Sequence, residues 1–201
     1  MKTSLDLLIA DTIAPLLKKN GFNKKGLNFY KTTNGLVFLI NIQKSQGNIG
    51  NYIKFYINCG IHSTEIDRVI GAKENEMPKE YECYYRARIS DITRATTDGY
   101  MAETVNATVI IADLQQVLAL FESITTSDEL AQLMINKNGL NNYKELFTYL
   151  LLTNQEQSLK SYATHLFHTF GAEKRWSIFE NQLNDVLQNN KKTYQLSNLI
   201  G

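Results

Sequence analysis

Asn34-Gly35 separates two segments, Leu27–Lys31 and Leu36–Lys44, whose side chains alternate in character. A two-residue β-hairpin needs positive φ at both central residues, and Asn-Gly meets that need with least strain. The chain is therefore directed near its start toward antiparallel pairing. Along Leu36–Lys44, Leu36, Phe38, Ile40 and Ile42 point one way, and Val37, Leu39, Asn41 and Gln43 the other. Tyr52–His62 repeats the pattern, with Ile53, Phe55, Ile57, Cys59 and Ile61 against Tyr52, Lys54, Tyr56, Asn58 and His62. Glu80–Ser90 reads as a further strand, with Tyr81, Cys83, Tyr85, Ala87 and Ile89 opposing Glu82, Tyr84, Arg86 and Arg88. A shorter strand is expected near Tyr100–Val105.

The remainder has helical spacing. Thr3 or Ser4 caps a first helix bearing Leu5, Leu8, Ile9, Thr12, Ile13, Leu16 and Leu17 on one face, with Asn20-Gly21 as its stop. Pro15 lacks an N–H, so a kink, or a restart with Pro15 in the first turn, is expected there. After the sheet, Ile110, Ile111, Leu114, Val117, Leu118, Phe121 and Ile124 form an apolar stripe. Ser127 starts another helix, and Tyr143–Leu152, Leu159–Phe170 and Trp176–Leu187 follow as three more.

The fold class is thus α+β: an N-terminal helix, an antiparallel sheet of four to five strands, and a C-terminal helical region packed on it. At 201 residues one domain is expected. Within it, 1–135 hold the helix, the sheet and the first helices after it, and 136–201 form a helical appendage.

Twenty-one basic against twenty acidic residues leave a net charge of +1, which argues against a globally basic nucleic-acid binder. The distribution is uneven: residues 12–64 carry seven lysines and no acid, whereas 65–135 carry thirteen acids and six bases. Asp6 and Asp11 interrupt the apolar run a signal peptide requires, and no segment approaches the ~20 apolar residues of a membrane span. A cytoplasmic protein with no membrane association is expected. Cys59 and Cys83 lack metal or redox spacing, and both fall in the apolar register of their strands as reduced core thiols.

Several short motifs occur in order: Pro15-Leu16-Leu17-Lys18-Lys19, Gly21-Phe22 with Lys24-Lys25-Gly26, Phe29-Tyr30, Asn41-Ile42-Gln43-Lys44-Ser45, Asn58 with Gly60-Ile61, and Cys83 with Arg86, Arg88 and Ile89. Together they resemble a family of uncharacterised bacterial proteins known only as a domain of unknown function, over roughly residues 5–135. Members of that family often carry a His and a Trp after the cysteine. Tyr84-Tyr85 stand there in this chain, so the resemblance carries no imidazole chemistry to it.

The surface with most chemical content is the polar side of the sheet. Asn41, Gln43, Lys54, Tyr56, Asn58, Tyr84, Arg86 and Arg88 share it if the strands pair as their alternation suggests. Guanidinium groups beside phenols suit a carboxylate or phosphate, although an antiparallel sheet commonly leaves one such face simply wet. Other clusters have plainer explanations. Lys18, Lys19, Lys24 and Lys25 complement the carbonyl end of the first helix; phosphate or RNA contact is the functional alternative, which Lys31, Lys44 and Lys54 would strengthen by converging on them. His165 and His168 are a pair without a third metal ligand. The acidic stretch 65–82 reads as a solvated loop, and Gly47-Asn48-Ile49-Gly50 lacks the ending of a phosphate-binding loop.

No nucleophile, base, cofactor motif or metal set is identifiable, so no catalytic residue and no cofactor is expected. The leading expectation is a non-enzymatic partner-binding module, immunity-like or regulatory, using the Tyr/Arg face. An enzyme or receptor for a small anionic ligand is the alternative. Weak RNA or phosphate binding through the lysine-rich first third stands third.

Overall fold

The computed structural model describes residues 2–49, 52–93, 99–137 and 139–200. Gly50, in the glycine-containing loop above, lies outside them. Two compact units are present: Met1–Thr64 with Asn75–Ser127, and Glu65–Glu74 with Asp128–Gly201.

The first unit opens with a helix in three parts: α1 (Ser4–Leu8), a π turn over Ile9–Ile13, and α2 (Ala14–Lys19). Thr3 caps it reciprocally: its hydroxyl accepts from the Asp6 N–H at 3.2 Å, and its own N–H donates to the Asp6 carboxylate at 3.0 Å. The expected restart at Pro15 is found, with Pro15 in the first turn of α2. Just before it the helix widens, and the Ala14 N–H reaches back five residues to the Ile9 carbonyl.

A six-stranded antiparallel sheet follows among the described residues. Its strands are β1 (Asn23–Lys25), β2 (Asn28–Thr33), β3 (Leu36–Lys44), β4 (Lys54–Ser63), β5 (Tyr85–Arg88) and β6 (Tyr100–Met101). The order is β1-β2-β3-β4-β5, and β6 pairs with the start of β4. Asn34 and Gly35 have φ of 52° and 78°, so the turn has both central residues left-handed and fixes Thr33 opposite Leu36.

The apolar face carries Phe29, Phe38, Ile40, Ile42, Phe55, Ile57, Cys59 and Ile61, all buried. Against it packs α5 (Ala107–Glu122), whose Phe121 ring lies 5.1 Å from Phe38 and 6.3 Å from Phe22. Tyr100 stacks on Phe55 at 5.5 Å, and its hydroxyl donates to Asp113 of α5 at 2.7 Å.

Three expectations need correction. Glu80–Ser90 is not one strand: a 3-10 turn over Glu80–Glu82 precedes the four-residue β5, and α4 (Ile89–Thr93) begins directly after it. Asp91 ends the strand by accepting the Arg88 N–H at 3.0 Å, the local bond that starts α4. Cys83 consequently leaves the apolar register. Its side chain lies over Gly60, which is on the opposite face from Cys59. The acidic stretch is likewise not all loop, because α3 (Thr64–Ile70) occupies its start, with Ile66 and Asp67 buried.

In the second unit, Glu65–Glu74 group with α6 (Ser127–Lys137, from Asp128 on), α7 (Tyr143–Leu152), α8 (Glu156–Phe170) and α9 (Trp176–Asn189). Asp128 near the start of α6 accepts from the Tyr149 hydroxyl at 2.8 Å and the Gln155 amide at 2.7 Å, joining three segments. Tyr143 meets Phe179 edge-on at 5.3 Å, as Phe167 does Trp176 at 5.6 Å.

Candidate functional site

The hairpin register assembles the polar face in rows across the sheet. One row reads Lys25, Asn28, Asn41, Asn58, Arg88, and the next toward the β3–β4 connection pairs Gln43 with Tyr56. Lys54 follows Tyr56 by strand alternation, and Arg86 lies opposite Gly60 on the same side. Tyr84 precedes β5, yet its ring stacks at 4.9 Å and 7° on His62, which shares the Asn58 side of β4. Asn41, Gln43, Lys54, Tyr56, Asn58, Tyr84, Arg86 and Arg88 thus lie on one side of the sheet.

The amides in these rows are bonded to one another. Asn58 spends both amide N–H groups, on the Asn41 oxygen at 3.0 Å and the Gln43 oxygen at 2.9 Å. Asn41 donates onward to Asn28 at 2.6 Å. The chain of donation runs outward from Asn58, which is 6% exposed. It leaves the NH2 groups of Asn28 and Gln43 as its outer ends, without a partner among the described residues.

Beside the ladder, the Arg88 guanidinium lies over the Tyr56 ring, 4.1 Å from its centroid, and Lys54 Nζ is 5.1 Å from the same centroid. The ring thus holds both cations by its quadrupole. Arg88 Nη1 is shut off from solvent with no hydrogen-bond acceptor among the described residues, although the residue itself is only half-buried.

Parts of this side are covered from within the same unit. Tyr30 donates its hydroxyl to the Pro78 carbonyl at 3.2 Å, which lays the segment before β5 over one end. Cys83 fills the space above Gly60, where a Cβ would lie 2.6 Å from its sulfur. Gly99 closes on the other end, where a Cβ would come within 2.9 Å of the Tyr56 ring and of Lys54 Cε. The open portion is the margin holding Gln43, Asn41, Asn28 and the outer parts of Arg86 and Arg88.

Neither cysteine is poised for chemistry. Burial pushes the Cys83 thiol up to about 12 and raises the Cys59 thiol further. The lysines scatter: Lys24 and Lys25 lie on the exposed edge strand β1, Lys31 and Lys44 fall on the apolar-face side of their strands, and Lys54 lies on the other. Lysines on an edge strand also discourage strand addition. His165 and His168 are exposed on α8, and no group of three or more metal-ligating side chains occurs among the described residues. Among those residues no helix is long and apolar enough to cross a membrane.

Asn28 was absent from the expected set, although the turn encodes it. Pairing Thr33 with Leu36 across Asn34-Gly35 places Asn28 opposite Asn41 by counting back along both strands. Gly60 and Gly99 had no comparable local signal, because the atoms that crowd them come from distant segments.

No curated protein and no solved structure matches the chain. The family model of DUF4304, a domain of unknown function, matches residues 13–126, which hold α2, the whole sheet and α5. More than half of the 201 residues fall in that match, and the chain accordingly belongs to the DUF4304 family.

Proposed function

We propose that the chain is a partner-binding module whose polar sheet face receives an acidic, acceptor-rich segment of another protein. The observation that carries this reading is the direction of the amide ladder. Asn58 donates inward-held hydrogens to Asn41 and Gln43, and the groups left at the accessible margin are donors: the NH2 ends of Asn28 and Gln43, and the Lys25 and Arg88 cations at the two ends of the row. Carboxylates and peptide carbonyls accept such bonds without competing donors of their own. Arg88 resting on Tyr56 is held with little freedom left to lose, so a partner meets a preorganised contact. Tyr and Arg together are also the residues most often found at the energetic centre of interfaces.

Affinity capture from extracts of the protein's own cells tests the reading, comparing wild type with Arg86→Ala/Arg88→Ala. Loss of a specifically recovered protein in the variant, with the circular dichroism spectrum unchanged, is the expected result. Equal recovery by both would reject this face as the principal contact. The same donors suit a small polycarboxylate. A thermal shift with citrate, abolished by the double substitution and accompanied by no captured protein, would favour a small-ligand receptor.

A further inference from the structure

The second unit contains a feature independent of the sheet. Along α8, Gln157, Lys160, Ser161, Thr164, His165 and His168 recur at three- and four-residue intervals and form one polar stripe. An amphipathic helix needs no more than this to be wet on one side. Here, however, the stripe borders a concavity. Leu199, from the segment after α9, lines with these six residues an open depression of about 390 Å³. A second cavity, of about 510 Å³, continues toward the start of α8, between Glu156, Leu159 and Lys160 on one side and Thr193, Tyr194, Asn198 and Leu199 on the other. Lys160 and Leu199 line both, so the two form one trough. Its polar wall from Gln157 to His168 spans roughly 17 Å at the helical rise.

We infer that this trough binds a small phosphate ester. Its walls supply an exposed cation at Lys160, two imidazoles at His165 and His168, and hydroxyls at Ser161, Thr164, Thr193 and Tyr194. Phosphate presents acceptor oxygens in several directions at once, and a lysine point charge among single-donor hydroxyls answers that geometry better than it answers a planar carboxylate. Among the described residues Glu156 is the carboxylate lining the trough, and it stands at the far end from the histidines. Its repulsion directs the phosphate toward the Lys160–His168 half. Leu159 and Leu199 give an apolar floor, and Tyr194 a flat wall, for the organic remainder. The metal alternative lacks a third ligand among the described residues.

The chain has three histidines, which makes the test direct. With inorganic tripolyphosphate as the probe at constant ionic strength, the imidazole NMR signals of His165 and His168 shift, while that of His62, buried in the other unit, stays still. Lys160→Ala lowers the affinity by at least about tenfold, the loss of one charge-assisted contact. Lys160 is exposed, so this variant folds. Succinate at the same concentration produces no comparable shift. The inference is overturned if His165 and His168 do not respond, if binding survives Lys160→Ala, if succinate binds equally, or if the responding signals belong to the Lys18, Lys19, Lys24 and Lys25 region. Because no sheet-face residue takes part, failure of this test leaves the partner-binding reading untouched, and the reverse also holds.

Discussion

Gly60 offers the most direct test of how the polar side of the sheet is closed. It lies within β4, opposite Leu39 on one side and Arg86 on the other, and Cys83 sits above it. The Cβ of an alanine would stand 2.6 Å from Cys83 Sγ and 3.0 Å from Cys83 Cβ, against about 3.5–4.0 Å at optimal contact. Nearly 1 Å of overlap has to be relieved. Cys83 is fully buried, with its sulfur 3.6 Å from the Lys79 carbonyl, so the strand and the segment before β5 must part. Overpacking of this kind costs roughly 1–3 kcal/mol, partly offset by about 0.5 kcal/mol from the stiffer unfolded chain. Cys83→Ala alone leaves a small void worth about 1 kcal/mol. In the Gly60→Ala/Cys83→Ala variant the new methyl occupies the space of the lost sulfur, so the double change costs at least about 1 kcal/mol less than the two single changes added. Urea-dependent hydrogen exchange of the Asn58–Ile61 amides reads this from the first unit by itself. Additivity within about 0.3 kcal/mol would refute the reasoning, as would a Gly60→Ala protein as stable as wild type.

Gly99→Ala brings a Cβ within 2.9 Å of the Tyr56 ring and Lys54 Cε, and should cost about 1 kcal/mol, with faster exchange at the Ala102 amide bonded to Ile53. Since burial holds the Cys83 thiol up to about 12, only about 10⁻⁴ of it is thiolate at pH 8. Reagent labelling of either cysteine should therefore follow unfolding, and prompt modification of one thiol in the native protein would contradict the packing. The Thr3 N–H, and then its hydroxyl, hold the Asp6 carboxyl below its ordinary value of 3.8. A depressed folded value contributes stability above pH 3.8 that is lost as pH falls through the folded value. NMR titration should show the Thr3 and Asp6 amides losing their capped shifts only below that pH, and Asp6→Asn should remove the step.

Where local signals agreed with long-range packing, the sequence was readable. Asn34-Gly35 and the alternation on either side determine register as well as strand identity, so Asn41, Gln43, Lys54, Tyr56 and Asn58 fall on the expected side. The bounds expected for Tyr143–Leu152 match the helix to the residue, because its apolar spacing and its asparagine-containing flanks coincide. The failures lie where short-range bonding outcompetes alternation. Tyr81, Cys83 and Ile89 continue the period-two pattern of β5, but Lys79 and Glu82 close a turn on one side and Asp91 starts a helix on the other. Alternation alone therefore puts Cys83 on the wrong side. Glu65 and Asp67 look like loop acids, yet they complement the positive end of α3. What covers the sheet face was not legible at all, since Pro78 and Gly99 reach it from separate segments with no periodic signal.

The grouping of Glu65–Glu74 with the C-terminal helices has a kinetic consequence. As the chain leaves the ribosome, β1 to β4 can pair, and β5, β6 and α5 can join them, from residues preceding Ser127. The stretch beginning at Glu65 is synthesised between β4 and β5, but the rest of its unit emerges only after Asp128. Ile66 therefore passes through the translation of about sixty further residues before the helices it groups with exist. In that interval the nascent protein carries an apolar side chain that a chaperone can meet and the finished molecule conceals.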